Sequence, residues 1–229
     1  MEYRETRPLS DPILIDLSHA IEAGMTTYKG LPGPVLCDYW TRETSAANYD
    51  DGSTFHIGRI EMVANTGTYV DSPFHRYADG ADLSELPLAS LAALPGVAVR
   101  SPFDGGLAVD VAAFAGLGVR GRAVLVATGW DRHWRTDAYF TGHPYLTAAA
   151  AEWLVAEGAA FVGIDSHNID DTRTRTRPVH TILLGAGIPI GEHLCNLGAL
   201  PDQGFAFSAV PPKVKGMGTF PVRAWARLD

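Results

Sequence analysis

Residues 146–165, LTAAAAEWLVAEGAAFVGID, decide the fold class. Thr147 stands where a helix N-cap belongs, with a hydroxyl able to accept a free amide of the first turn. Gly158 stands just past the other end, where a left-handed residue closes a helix without a Cβ clash. Between these stops Leu146, Ala150, Trp153, Leu154 and Ala156 form an apolar face. AFVGID (160–165) then reads as a strand, and AVLVATGW (123–130) upstream reads as another. Strand, helix and strand in that order predict a β-α-β unit inside a mixed α/β domain.

The chain on either side fits that class. GVAVR (96–100) reads as a further buried strand, and SELPLASLAAL (84–94) before it as short helical turns. The first clear strand is ILIDLSH (13–19), followed by the turn-rich YKGLPGPV. TFHIGRIEMVA (54–64) alternates as one or two strands. HTILLGAGIPIGEHL (180–194) and FPVRAWARL (220–228) add a helix-or-strand element and a closing strand, with the Gly/Pro-rich loop VPPKVKGMGTF (210–220) ahead of the latter. No repeat or low-complexity linker interrupts the 229 residues, so one domain over 1–229 is expected.

Composition excludes several classes of function. The chain is 46% hydrophobic and 19% charged, a globular balance. A net charge of −8 without a block of like charges disfavours nucleic acid and anionic membrane as partners. The densest basic run, TRTRTRP (172–178), reads as a solvated or subunit-contact loop. Cys37 and Cys195 stand far apart without metal spacing, which favours a reducing compartment over a disulfide scaffold. The N-terminal stretch lacks a signal-peptide pattern, and no run reaches the ~18 apolar residues of a spanning helix. A cytoplasmic protein acting on a small molecule is the expectation.

The chemistry concentrates in ANTGTYVDSPFH (64–75), where Asn65, Tyr69, Asp71 and His75 share one short span. Gly67 and Pro73 place it on a strand end and loop. Further along stand His180 and Glu192, separated by the turn at Gly185–Gly187. Two carboxylates and an imidazole suit a borderline divalent cation and leave a position for water. A histidine such as His75 beside them can shuttle a proton. Taken alone, a His or Asp in a loop is more often a hydrogen-bonding residue than a ligand. No HExxH, paired CxxC, GxSxG, GxGxxG or P-loop offers a rival.

The segment NTGTYVDSPFH resembles the signature His-x-Gly-Thr-His-x-Asp-x-Pro-x-His of the cyclase family of metal-dependent hydrolases. Bacterial kynurenine formamidase and isatin hydrolase belong to that family, and some members are linked to polyketide ring closure. IDLSHAIEAGMTTYKG, TGWDRHW, HPYLTAAAAEWL, GIDSHNID, HTILLGAGIPIGEHLCNL and GTFPVRAWA match family blocks in the family order, so the resemblance covers most of the chain. It implies a swivelling β/β/α fold with a mixed sheet, and a homodimer or homotetramer associated through exchanged terminal segments. It also implies that Asp71, His180 and Glu192 hold a metal and that His75 transfers protons.

Asn65 and Tyr69 stand where the family carries two further metal-ligand histidines. Neither a carboxamide nor a phenol replaces imidazole well for zinc. Three readings follow. The first is a hydrolase of a small amide, formamide, lactam or lactone with one divalent ion, zinc or manganese, in which Asn65 and Tyr69 turn to substrate or oxyanion. The second is a metal-poor cyclase or lyase in which His75 and Tyr69 move protons. The third is a non-catalytic binding relative. The retained ligand types favour the first. His19 is a candidate pocket residue, and Trp130, with Tyr28 and Trp134, offers aromatic neighbours to a flat substrate. His56, His133, His143, His167 and His193 read as ordinary hydrogen-bonding residues, and Asp165 and Asp170 as backbone acceptors at a strand end.

Overall fold

The computed structural model describes residues 12–228, so the N-terminal residues read for a signal peptide lie partly outside it. The first half of the chain contributes β1 (Ile13–Asp16), β2 (Val35–Trp40), a one-turn α1 (Arg42–Ser45), β3 (Ile57–Glu61), β4 (Tyr69–Asp71) and β5 (Leu94–Arg100). There follow β6 (Ala108–Val109), β7 (Ala123–Ala127), β8 (Tyr145–Leu146), α2 (Ala148–Glu157), β9 (Phe161–Ile164) and α3 (Pro178–Gly185). β10 (Ile190–Glu192), β11 (Gln203–Ser208), β12 (Thr219–Pro221) and β13 (Trp225–Leu228) complete the order.

Nine strands form one mixed sheet in the order β1-β13-β11-β5-β7-β9-β10-β4-β12. Its centre, β5, β7, β9 and β10, is parallel, and antiparallel strands extend it on both sides. Parallel strands need both faces covered, and β7 shows how the sequence meets that demand. Val124 and Val126 pack on one face with α2 and α3, while Ala123 and Leu125 pack on the other with Leu194, Phe205 and Phe207. This α/β architecture is the class that the β-α-β unit predicts.

Helix α2 has the expected stops. The Thr147 hydroxyl accepts from Ala150 N at 3.1 Å, and Gly158 closes the helix at φ 78°. Its buried side differs in one place: Ala151 is buried and Ala156 is exposed, because the helix seats its Ala150–Leu154 ridge against the sheet. Four strands have no counterpart in the sequence reading: β2, the two-residue β6 and β8, and β11, which lies inside the large sheet. Strand β3 does form, yet it pairs only with β2, as a separate two-stranded ribbon. Among the described residues no helix is long and apolar enough to cross a membrane.

Candidate metal centre

Strand register assembles the site. Tyr69 and Asp71 lie two residues apart on β4 and so share one face, while Val70 between them enters the core. On one side of β4, Glu192 of β10 lies directly opposite Tyr69. On the other, Thr219 of β12 lies opposite Asp71. The turn Pro73–His75 then carries His75 back over this face. A Cβ at Gly218 would lie 2.5 Å from His75 N, so only glycine lets the approach to β12 pass close enough to set Thr219 beside His75.

Helix α3 supplies His180, and Asp170 fixes it. One oxygen of Asp170 accepts from Val179 N at 2.8 Å, and the other from His180 N at 3.1 Å, which caps the helix start. The second oxygen also accepts from His180 Nδ1 at 2.6 Å. With Nδ1 held, Nε2 faces the floor of the site, 3.7 Å from Asp71 Oδ2 and 3.6 Å from Glu192 Oε1. Both gaps exceed hydrogen-bond length, and Asp71 Oδ2 is buried without a partner. Asp71, His75 and His180 also offer ligand atoms within 4.8 Å of one another.

The charges on this floor are unusual for a dry interior. Burial pushes Glu192 up to about 7, against the His180 charge and with that of Asp71. Burial works to pull the His180 imidazolium down, but Glu192, Asp170 and Asp71 outweigh it and hold the ring at about 10. Two carboxylates beside one oriented imidazole, one of them with an orphaned oxygen, match the donor chemistry of a divalent cation. A cation bound there would take the place of the proton on Nε2. Asp71, His75 and His180 meet the spacing of a cation's ligands, and Glu192 adds a carboxylate 3.6 Å from His180 Nε2.

The neighbouring hydroxyls are donors. Burial, reinforced by Glu192, raises the Tyr69 and Tyr28 phenols well above their ordinary value. Tyr69 donates a hydrogen bond to Glu192 Oε2 at 2.6 Å, while Ile169 N donates to Oε1 at 2.7 Å. Tyr28 donates to His167 O at 3.0 Å and accepts from Asn168 Nδ2 at 2.6 Å. The Thr219 hydroxyl donates to Asp71 Oδ1, which can only accept, so its 2.8 Å contact with His75 Nδ1 takes a proton from the ring. Neutral His75 then keeps its proton on Nδ1 and its lone pair on Nε2.

Above the floor opens a cavity of about 240 Å³, walled by Tyr28, Leu31, Asn65, Tyr69, His75 and His180. Six sequence candidates thus converge: Asn65, Tyr69, His75, His180 and Glu192 line the cavity, and Asp71 lies beneath it. Two candidates sit elsewhere. His19 stacks on Trp134 with ring centroids 4.1 Å apart and lines a second cavity with Met62 and Phe220. Trp130 is buried, donates from Nε1 to Tyr139 O at 3.1 Å, and packs on Phe103 and His133 outside the lining.

Sequence reasoning missed Thr219 and Asn168, named Tyr28 only as an aromatic neighbour, and gave Asp170 only its backbone bonds. Asp170 makes those bonds and orients His180 as well. The GIDSHNID and GTFPVRAWA blocks flagged the regions of Asn168 and Thr219, without roles for those two residues.

Residues 15–171 match the family model described as "Putative cyclase". Kynurenine formamidase of Salinibacter ruber is 28% identical over 227 residues, covering 93% of this chain and 97% of that enzyme. Isatin hydrolase A of Labrenzia aggregata superposes with a TM-score of 0.80 at 20% identity, over 95% and 94% of the two chains, a likeness of fold. A solved chain described as a potential metal-dependent hydrolase with cyclase activity superposes with a TM-score of 0.77 at 25% identity, over 95% and 98%.

Proposed function

From the premise that this chain belongs to the cyclase family, we propose that it hydrolyses a small amide, formamide, lactam or lactone with one divalent cation, zinc or manganese. The observation that carries this reading is the convergence of His180 Nε2, Glu192 Oε1 and the orphaned Asp71 Oδ2 at the cavity floor. Asp71, His180 and Glu192 hold the cation. His75 stands within ligand reach, but its Nδ1 is taken by Thr219 and the ring lies at the cavity wall.

When bound, the cation supplies Lewis acidity toward a carbonyl and lowers the pKa of water. The side chains divide the remaining work. His75 accepts and returns a proton at Nε2, its tautomer set by Thr219. Tyr69 spends its proton on Glu192 and keeps that carboxylate turned toward His180. Asn65, whose carboxamide bonds to no other described residue, remains to meet a substrate oxygen.

The fold reading that goes with this function is the swivelling β/β/α type, in a cytoplasmic homodimer or homotetramer. The ribbon β2–β3 supports an assembled state, because all its residues are exposed although Leu36, Tyr39 and Ile60 are large and apolar. Turnover of N-formyl and lactam model substrates by metal-loaded protein tests the function. His75→Ala is expected to lower kcat by about 10²–10³ with the metal retained. Turnover unaffected by that change sinks the assignment of His75. Turnover by metal-free protein that still needs His75 moves the reading to a cyclase or lyase.

A further inference from the structure

The rim of the cavity is cationic in a chain whose net charge is −8. Arg76 and Arg177 both line it, above a floor that carries Asp71 and Glu192. Arg76 follows His75 at the end of its turn. Only its Nε is engaged, on Thr181 Oγ1 at 3.1 Å. Arg177 precedes α3 and donates from Nη1 to the carbonyls of Thr174 at 2.9 Å and Thr176 at 2.7 Å, with a longer contact to Asp171 O at 3.4 Å. Among the described residues the arginine ion pairs involve Arg59, Arg100, Arg135, Arg173 and Arg223, and neither rim arginine has one. The contrast within one loop is instructive. Arg173 is spent on Asp171 at 2.8 Å, whereas Arg177 is tied down by carbonyls alone and keeps Nε and Nη2 for another acceptor.

We propose that Arg76 and Arg177 form a carboxylate clamp, so that the substrate is a small organic anion held by its carboxylate at the rim while its hydrolysable carbonyl reaches the floor. The proposal rests on the hydrolase reading and narrows its substrate class to N-acyl amino acids and carboxylated lactams. Guanidinium presents a planar fork of donors that matches a carboxylate. Two such groups left without acidic partners at a cavity mouth retain their full attraction for one. The floor supplies the orientation, since Asp71 and Glu192 repel a carboxylate that enters the wrong way round. Tyr28 and Leu31 line the wall along which the body of the molecule lies.

Calorimetry with N-formylphenylalanine and its carboxamide isolates the charge, because the two probes differ only at the carboxyl group. The wild-type protein is expected to bind the carboxylate about tenfold tighter or more, in line with a charge-assisted pair. Arg76→Gln removes most of that preference, Arg76→Lys restores part of it, and Arg177→Gln repeats the loss. Equal binding of the two probes, or binding of neither, overturns the clamp. Hydrolysis is read separately on the same probes. Carboxylate-selective binding without turnover keeps the clamp and sinks the hydrolase, while turnover of both without preference keeps the hydrolase and overturns the clamp.

Discussion

Asp170 makes three hydrogen bonds from one buried carboxylate, two to the first amides of α3 and one to the His180 ring. A carboxylate behind a ligand histidine fixes its tautomer and raises its basicity. Asp170→Asn keeps the shape but turns an amide group toward donors, so His180 loses its anchor. We expect metal affinity to fall about 10–100-fold, measured by competition with a chromophoric chelator; affinity within twofold of wild type contradicts this role. The residues that meet at the cavity floor were legible by type, because Asp71, His180 and Glu192 are residues whose chemistry limits their uses. Thr219 was not. A threonine in a Gly/Pro-rich loop carries no signal until β12 pairs with β4 and brings its hydroxyl between Asp71 and His75. Trp130 was read by its type alone, and its indole N–H went to a backbone carbonyl.

Elements with local stops were the easiest to read. Helix α2 announced itself through Thr147 and Gly158, both of which act within four residues of their own position. β11 is the opposite case. GFAFS is short, and its partners β5 and β13 come from distant parts of the chain or follow it after the long 210–220 loop. The ribbon β2–β3 raises a different question, since two strands alone are marginally stable in water. Tyr39 is 66% and Ile60 61% exposed, which a second copy of the chain would cover. Tyr39→Asp with Ile60→Asp is expected to shift the light-scattering mass from an oligomer to the single chain. A wild-type protein already of single-chain mass removes this role for the ribbon.

The whole molecule carries a buried histidine system beside the candidate metal centre. Burial drives His19 down to about 4, with Asp131 opposing, and His167 down to about 3, with His143 and Arg177 adding to the effect. Burial lowers His193 well below its ordinary value as well, and one ring nitrogen of each of the three is buried without a partner. In the unfolded chain these rings take a proton near pH 6.5. Between pH 6.5 and about 4 the unfolded state therefore binds more protons at these rings than the folded one, and their share of the stability falls as pH falls. Asp165, raised to about 6, Glu192, raised to about 7, and His180, held at about 10, work in the opposite sense. Urea midpoints at pH 7.5 and pH 5 for the wild type and for His167→Gln isolate one ring: the variant is expected to lose less between the two pH values, and an equal or larger loss contradicts the burial of a neutral ring.

The central claim is a single cation on Asp71, His180 and Glu192, with Tyr69 and Asn65 withdrawn from metal duty. Tyr69 keeps its proton and donates a hydrogen bond with it to Glu192, so its oxygen faces that carboxylate as a neutral phenol. Elemental analysis of the purified protein and of Glu192→Gln tests the claim most directly. About one equivalent of zinc or manganese per chain, lost in the variant, is the predicted result. Two equivalents, none, or one that survives the substitution would contradict it.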